Sequence, residues 1–523
     1  MSTADDLNSA IELHRAGRLD AAAQAYERVC LANPNNADAC YGLGTVLMQI
    51  GNYLEAARLL GQALTLEPDV PEFRHNYGLA LKSLARDYGL KRDYPAAIKS
   101  YESFLKLKEP DSSDLLAYAD LLLLAREPAA ARQAVDRAIK AGSDLSAAHL
   151  ITARCARLSG DYDEARSHLR TAIEKRPAFG DAWQLLLDIE SQEELPGLAS
   201  ECARLASDEN DTLRNRVLLA MTSGRAYEKL KEYPLAFEQF QAGNDYQITD
   251  QASRNVRYDE AESESLAARA VTTFQGTFDD SSQADPATQP IFIVGMPRSG
   301  TTLVERILGG LEGVVIGGES ESIGVIASQF YWNLEQGREN DRREMASEYW
   351  RRELCAPCRR TDKMPNNFWH IGLIAEMFPA APVIYMRRDP RDVCMSIFSR
   401  VFSDGHPYAT RFESLAHFCK LSVDLMQHWM EVYPSRVIEV SYEKLIDHPE
   451  TETQAIAEHC GLDWIPECLD FHERSGTSFT YSEMQVREPL NRKGIDAWRR
   501  YESQLAPLTA ALREKGLLDQ DWF

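Results

Sequence analysis

Ile291 to Leu308 reads IFIVGMPRSGTTLVERIL, and the order of residue types is that of an anion site. Ile291–Val294 is a short apolar, β-branched run, the signature of a buried parallel strand. Gly295-Met-Pro-Arg-Ser-Gly300 is a tight polar loop, and Thr301 and Thr302 open a run to Leu308 with the pattern of an amphipathic helix. A strand, a glycine-bearing loop and a helix N-terminus together aim backbone N–H groups and the positive end of the helix dipole at a bound anion. Gly295 and Gly300 enclose four residues, as in the G-x-x-x-x-G-K-[ST] loop of nucleotide kinases, but Thr301 stands in the place of its lysine. The cation sits inside the loop instead, as Arg298. That suits a single phosphate or sulfonate better than the β- and γ-phosphates and Mg²⁺ of a triphosphate.

A second basic turn follows about ninety residues later. Ala381-Pro-Val-Ile-Tyr-Met-Arg-Arg388-Asp-Pro-Arg-Asp392 is a strand running into Arg388, and Val393 to Phe402 reads as a helix. Ser396 and Arg400 are four apart and share one face of it. Arg388 at the strand end, meeting that face, would give two guanidiniums and a hydroxyl for one phosphate.

PRSGTT after a strand resembles the 5′-phosphosulfate loop of sulfotransferases that use 3′-phosphoadenosine-5′-phosphosulfate, and Arg388 followed by Ser396 resembles their 3′-phosphate site. Residues 289–523 resemble the tyrosylprotein-sulfotransferase branch, and the whole chain resembles bacterial tetratricopeptide–sulfotransferase fusions. The resemblance implies a cofactor cradle of Arg298, Ser299, Gly300, Thr301 and Thr302, with Arg388, Ser396 and Arg400 at the 3′-phosphate and Tyr442 packed at the nucleotide. It implies Glu319, in Gly317-Gly318-Glu319, as the base that takes the acceptor proton, with Arg298, Lys363 and Ser482 stabilising the transferring group and leaving phosphate. Ser482 belongs to Ser-Glu-Met-Gln485-Val486, which resembles the family's segment closing over the cofactor. No metal is implied. The cofactor lysine that the family places before Trp498 is Ala497 here, leaving Lys493 or Arg499 to replace it. Tyrosylprotein enzymes carry an arginine two residues after the base, where this chain has Glu321. His370 is the runner-up base, on the pattern of small-molecule sulfotransferases.

The elements that must position these residues fall into two patterns. Gly17-Arg-Leu-Asp-Ala-Ala and Gly51-Asn-Tyr-Leu-Glu-Ala-Ala recur at an interval of 34, as do Pro34 and Pro68. Further copies start at Asp93, Glu127, Gly160 and Glu232, with a degenerate unit around Glu190 to Gly197 and an apparent insertion between helices at Ala85 to Lys91. Period, alanines and prolines are those of tetratricopeptide repeats, each a helix pair whose aromatics (Tyr26, Tyr101, Phe104) are core. After a polar, proline-bearing stretch the pattern changes to strands at Ile291–Val294, Pro382–Met386 and Val437–Val440, alternating with helices. The expected fold is an α-helical tetratricopeptide solenoid over 1–250, a helix and linker over 251–288, and an α/β P-loop-like domain with a parallel sheet over 289–523.

Composition limits the partners. The chain of 523 residues has 44% hydrophobic and 26% charged content, the balance of a globular protein, and its net charge of −23 argues against a general nucleic-acid binder. No apolar run reaches the length of a membrane span. The N-terminus has no secretory pattern and the ten cysteines are scattered, so a cytoplasmic location is expected. Cys355 and Cys358 form a lone CxxC, too little for a zinc assignment. The expected activity is sulfonate transfer to a hydroxyl, foremost a protein or peptide tyrosine recruited through the repeats. A carbohydrate or small-molecule acceptor is the alternative within that class. Outside it stand a P-loop kinase and a repeat scaffold with an inactive nucleotide-binding domain.

Overall fold

The computed structural model describes residues 3–90, 93–274, 285–353, 355–402, 405–473 and 489–518. Ser482 and the segment Ser482 to Val486 lie outside the described residues. The chain divides into two compact units, Met1–Ile189 and Glu190–Phe523.

The first unit is a solenoid of helix pairs: Thr3–Arg15 with Leu19–Ala32, Ala37–Gln49 with Tyr53–Leu66, Pro71–Leu90 with Tyr94–Leu105, Ser112–Leu124 with Pro128–Lys140, and Leu145–Leu158 with Tyr162–Lys175. Gly180–Ile189 follows. Asn36, Asn52, Asp93, Asp111, Asp144 and Asp161 each accept a backbone N–H at a helix start, which fixes where the helices begin. Tyr26 is buried between its own helix and the next, and a Cβ on Gly42 would come within 2.4 Å of its ring. The repeat glycine is there because the helices close on that ring. Tyr101 and Phe104 are buried in the same manner. Ala85 to Leu90 does not separate two helices as expected, and Lys91 lies outside the described residues. Pro71–Leu90 is one helix of 20 residues, and Leu84 and Ala85 are buried along it, so tertiary contacts carry the helix on through the inserted turns.

The second unit opens with the helices Leu195–Ala206, Leu213–Lys229, Tyr233–Ser253 and Glu260–Thr273. A four-stranded parallel sheet follows, with β1 (Ile291–Gly295), β2 (Thr361–Asp362), β3 (Val383–Arg387) and β4 (Val437–Ser441) in the order β2-β1-β3-β4. Every residue of β1 is buried, as a central strand with both faces covered requires. Phe292 and Val294 pack with Phe368, Phe378 and Trp429 on one face. Ile291 and Ile293 pack with Val304, Ile307, Ile384 and Leu445 on the other. β2 leaves no mark in the sequence, because two residues carry no periodicity.

Compactness divides the chain earlier than the repeat signature does. Glu232-Tyr-Pro-Leu-Ala236 does start a helix, but that helix packs on the sheet domain. Asn244 Nδ2 donates to the Phe398 carbonyl at 2.8 Å, Gln247 Nε2 donates to the Phe402 carbonyl at 2.9 Å, and the Phe237 and Phe398 rings stack at 5.8 Å. Among the described residues no helix is long and apolar enough to cross a membrane.

Candidate active site

In a parallel sheet all C-terminal strand ends lie at one edge, where open α/β folds hold their ligands. Each strand here delivers a candidate residue there. β1 runs into the loop 296–300, β2 into Lys363, β3 into Arg388 and β4 into Tyr442.

The β1 loop is shaped by three left-handed residues, Gly295 (φ 148°), Arg298 (φ 71°) and Gly300 (φ 108°). A Cβ on Gly300 would sit 2.6 Å from the Tyr442 ring, so the loop needs glycine for approach as well as conformation. Arg298 has no such exemption, and its backbone stores strain on the order of 1 kcal/mol at the point where the loop turns. Its Nε donates to Ser396 Oγ at 2.9 Å, and its carbonyl accepts from Arg388 Nη1 at 2.8 Å. Arg388 lies over the Tyr442 ring, 4.5 Å from its centroid. The two basic segments seen in the sequence are therefore in direct contact. Arg298, Gly300, Thr301, Thr302, Arg388, Ser396, Arg400 and Tyr442 all border one cavity of about 470 Å³. Ser299 does not; it is buried behind the loop.

The electrostatics of this cavity call for an anion. Burial, then the neighbouring Arg400 and Arg388, push the Arg298 guanidinium down to about 9. Arg388, which lines the cavity, has its Nε buried without a hydrogen-bond partner among the described residues. An orphaned donor beside clustered guanidiniums is what a phosphate-bearing ligand satisfies. Lys493 and Ala497 also border the cavity, whereas Arg499 pairs with Asp496 at 3.0 Å. Of Lys493 and Arg499, Lys493 is the one at the wall.

Glu319 and Lys363 form a second cluster outside the cavity lining. Lys363 is buried, follows β2, and makes an ion pair with the half-exposed Glu319; its backbone N–H also donates to the Gly318 carbonyl at 3.0 Å. Asp362, next to Lys363, is not the counter-ion: burial and then Glu353 push its carboxyl up to about 8, and Tyr349 donates to it at 3.0 Å. His406 packs against Phe402 and Tyr408 and is close enough to Glu319 for their charges to interact. His370, the runner-up base, is held down to about 4 by burial alone.

Two groups of residues escaped the sequence reading. The first is Glu305, on the helix Thr301–Leu308. That helix reads as amphipathic, yet all of it is buried. Glu305 Oε1 accepts from the Gly318 N–H and from Thr361 Oγ1, both at 2.8 Å, tying the β1 helix to the loop of Glu319 and to β2. Glu305→Ala strips both donors of their buried acceptor. A loss of about 2–4 kcal/mol in denaturant unfolding is expected. The second group is Glu228, Lys229, Arg500 and Tyr501, which border the cavity from positions just outside the motifs. Among the described residues there is no group of three or more His, Cys, Asp or Glu arranged for a metal ion.

Residues 290–466 match the Sulfotransferase family, residues 13–75 the Tetratricopeptide repeat, and residues 91–172 the family of Anaphase-promoting complex, cyclosome, subunit 3. An uncharacterized protein of Aquifex aeolicus (strain VF5) is 30% identical over 312 residues, 55% of this chain and 40% of its own length. A putative protein-tyrosine sulfotransferase of Caenorhabditis briggsae is 27% identical over 225 residues, 40% of this chain and 80% of its own. The chain thus spans less than half of the Aquifex relative. Among solved structures, the sulfotransferase domain from the Synechococcus PCC 7002 olefin synthase aligns with 43% of this chain and 91% of its own, at 20% identity and a TM-score of 0.31.

Proposed function

We propose that this chain, which joins tetratricopeptide repeats to a domain of the sulfotransferase family, transfers the sulfonate of 3′-phosphoadenosine-5′-phosphosulfate to a hydroxyl, foremost a protein or peptide tyrosine. The convergence of Arg298, Arg388 and Arg400 on one cavity beside a glycine loop carries the proposal. The donor supplies an activated sulfonate on a phosphate leaving group. The loop N–H groups of Gly300, Thr301 and Thr302 and the Arg298 guanidinium hold its 5′ end, while Arg388, Ser396 and Arg400 hold the 3′-phosphate and Tyr442 packs against the nucleotide. Glu319 accepts the proton of the acceptor hydroxyl, and its ion pair with Lys363 fixes where both groups sit. Ser482 completes the proposed set. Arg388 gripping the Arg298 carbonyl makes the two ends of the donor site one mechanical unit.

Tyrosine as acceptor is supported by the Caenorhabditis briggsae relative, named as a putative protein-tyrosine sulfotransferase. Glu321 favours a second reading, a carbohydrate or small-molecule hydroxyl, because a carboxylate beside the base repels an acidic peptide. The repeats are proposed to recruit a protein or peptide acceptor along their extended surface, and the cytoplasm is the proposed compartment. A labelled-sulfonate transfer screen over tyrosine peptides, glycans and phenols tests the proposal. Transfer to a peptide tyrosine is the expected result. Transfer only to a glycan or phenol replaces the acceptor, and donor binding without transfer to any acceptor leaves the scaffold reading.

A further inference from the structure

The helix Leu213–Lys229 lies well before the segment that matches the sulfotransferase family, 290–466, yet its last turn borders the cationic cavity through Glu228 and Lys229. Its contribution is anchored on several sides. Glu228 Oε1 accepts from the Tyr501 hydroxyl at 3.0 Å, and the Tyr501 ring meets Tyr233 edge-on at 5.5 Å at the start of the following helix. On that following helix, Asn244 is 1% exposed, and its Nδ2 donates to the Phe398 carbonyl. Phe398 ends the helix Pro390–Phe398, which carries Ser396, so Asn244 satisfies one of the carbonyls left open at that helix end. Arg225, one turn before Lys229, is close enough to Arg298 to lower its guanidinium further.

Charge gives the hairpin its meaning. The cavity wall carries Arg298, Arg388, Arg400, Lys493, Arg500 and Lys229. Two acids stand against these six cations: Glu228, which accepts from the Tyr501 hydroxyl at 3.0 Å, and Asp392, which accepts from the Trp498 N–H at 2.7 Å, so cations remain in excess. One phosphate does not balance such a wall; a ligand with two phosphate groups does. Lys229 also sits in the last turn of its helix, where a cation is favoured by the dipole.

We propose that the hairpin Leu213–Lys229 and Tyr233–Ser253 is part of the nucleotide site, with Lys229 contacting a phosphate of the bound nucleotide and Asn244 and Glu228 acting as positioning residues. The inference rests on the donor reading above, and calorimetry on the full chain separates the two. The titrants are adenosine-3′,5′-bisphosphate and 5′-AMP; the proteins are wild type, Lys229→Ala and Lys229→Arg, each with its nucleotide-free melting temperature.

The expected result is that wild type prefers the bisphosphate and Lys229→Ala loses about 10-fold of its bisphosphate affinity. Its melting temperature stays unchanged, and Lys229→Arg restores most of the loss. A loss confined to the bisphosphate assigns Lys229 to the 3′-phosphate, and an equal loss for both nucleotides assigns it to the 5′ end. Wild-type affinity in Lys229→Ala overturns the inference and leaves the donor reading standing. So does a loss that comes with a lower melting temperature and is not restored by arginine. Equal binding of both nucleotides by wild type overturns the donor reading and the inference with it.

Discussion

Glu319→Gln is expected to reduce sulfonate transfer by about 10²–10⁴-fold while leaving adenosine-3′,5′-bisphosphate affinity unchanged. Glutamine keeps the size and removes the proton acceptor. The split between rate and affinity follows from the two clusters: Glu319 pairs with Lys363, whereas the proposed nucleotide contacts line a cavity that includes neither. Lys363 is 1% exposed, so the variant leaves a buried ammonium without its carboxylate, but Glu319 is 38% exposed and water reaches the pair. A modest fall in melting temperature is therefore expected rather than the full cost of an uncompensated buried charge. Single-turnover transfer assays beside calorimetry decide the matter. Turnover near wild type would remove Glu319 from the role of base and direct the same test to His406, Glu321 and His370.

Arg298→Ala is expected to pull stability and function in opposite directions. The guanidinium is held down to about 9 by burial and by Arg400 and Arg388. The folded state therefore releases this proton more readily than the unfolded chain. The resulting destabilisation is fully present at neutral pH and is relieved only as pH rises from about 9 into the ordinary arginine range. Removing the side chain removes that penalty, so the nucleotide-free variant should melt above wild type at pH 7. The same change deletes the charge proposed to hold the transferring group, and turnover should fall by about 10²–10³-fold. The increase in melting temperature that the bisphosphate gives wild type should shrink correspondingly. Thermal melts with and without the bisphosphate give both signs in one experiment. A variant that melts below wild type without ligand, yet gains as much with it, would mean that Arg298 is structural.

The residues legible in the sequence were those whose neighbours in the chain are also their neighbours in the site. Arg298, Gly300, Thr301 and Thr302 follow one strand. Arg388, Ser396 and Arg400 span one strand end and one helix face, and that local geometry is enough to place them on one cavity. Glu305 was hidden because a charged residue in an apolar helix reads as its solvent side; only the covering of the helix by the Glu319 loop and β2 turns it inward. Lys229 was hidden for another reason. The repeat pattern around Glu232 is true as a local description, since alanine and proline spacing dictate a helix pair wherever it packs. What that pair packs against is settled by Tyr501, Phe398 and Phe402, more than 150 residues away in the chain. Ala85 to Leu90 shows the same limit on a smaller scale, because an insertion lengthens a helix or makes a loop according to what covers it.

The division at Ile189 has a practical meaning for recombination. A cut at that point leaves every residue of the cationic cavity in the second unit. The two helices from Leu213 to Ser253 look like more of the same repeats, but they belong to the unit that holds the cavity. A fragment started at residue 290, where the family likeness begins, would leave behind the Glu228–Tyr501 latch and the plug that Asn244 places on the Ser396 helix. A fragment started at residue 190 keeps both, so the natural seam for a chimera lies about a hundred residues upstream of the seam that sequence similarity suggests.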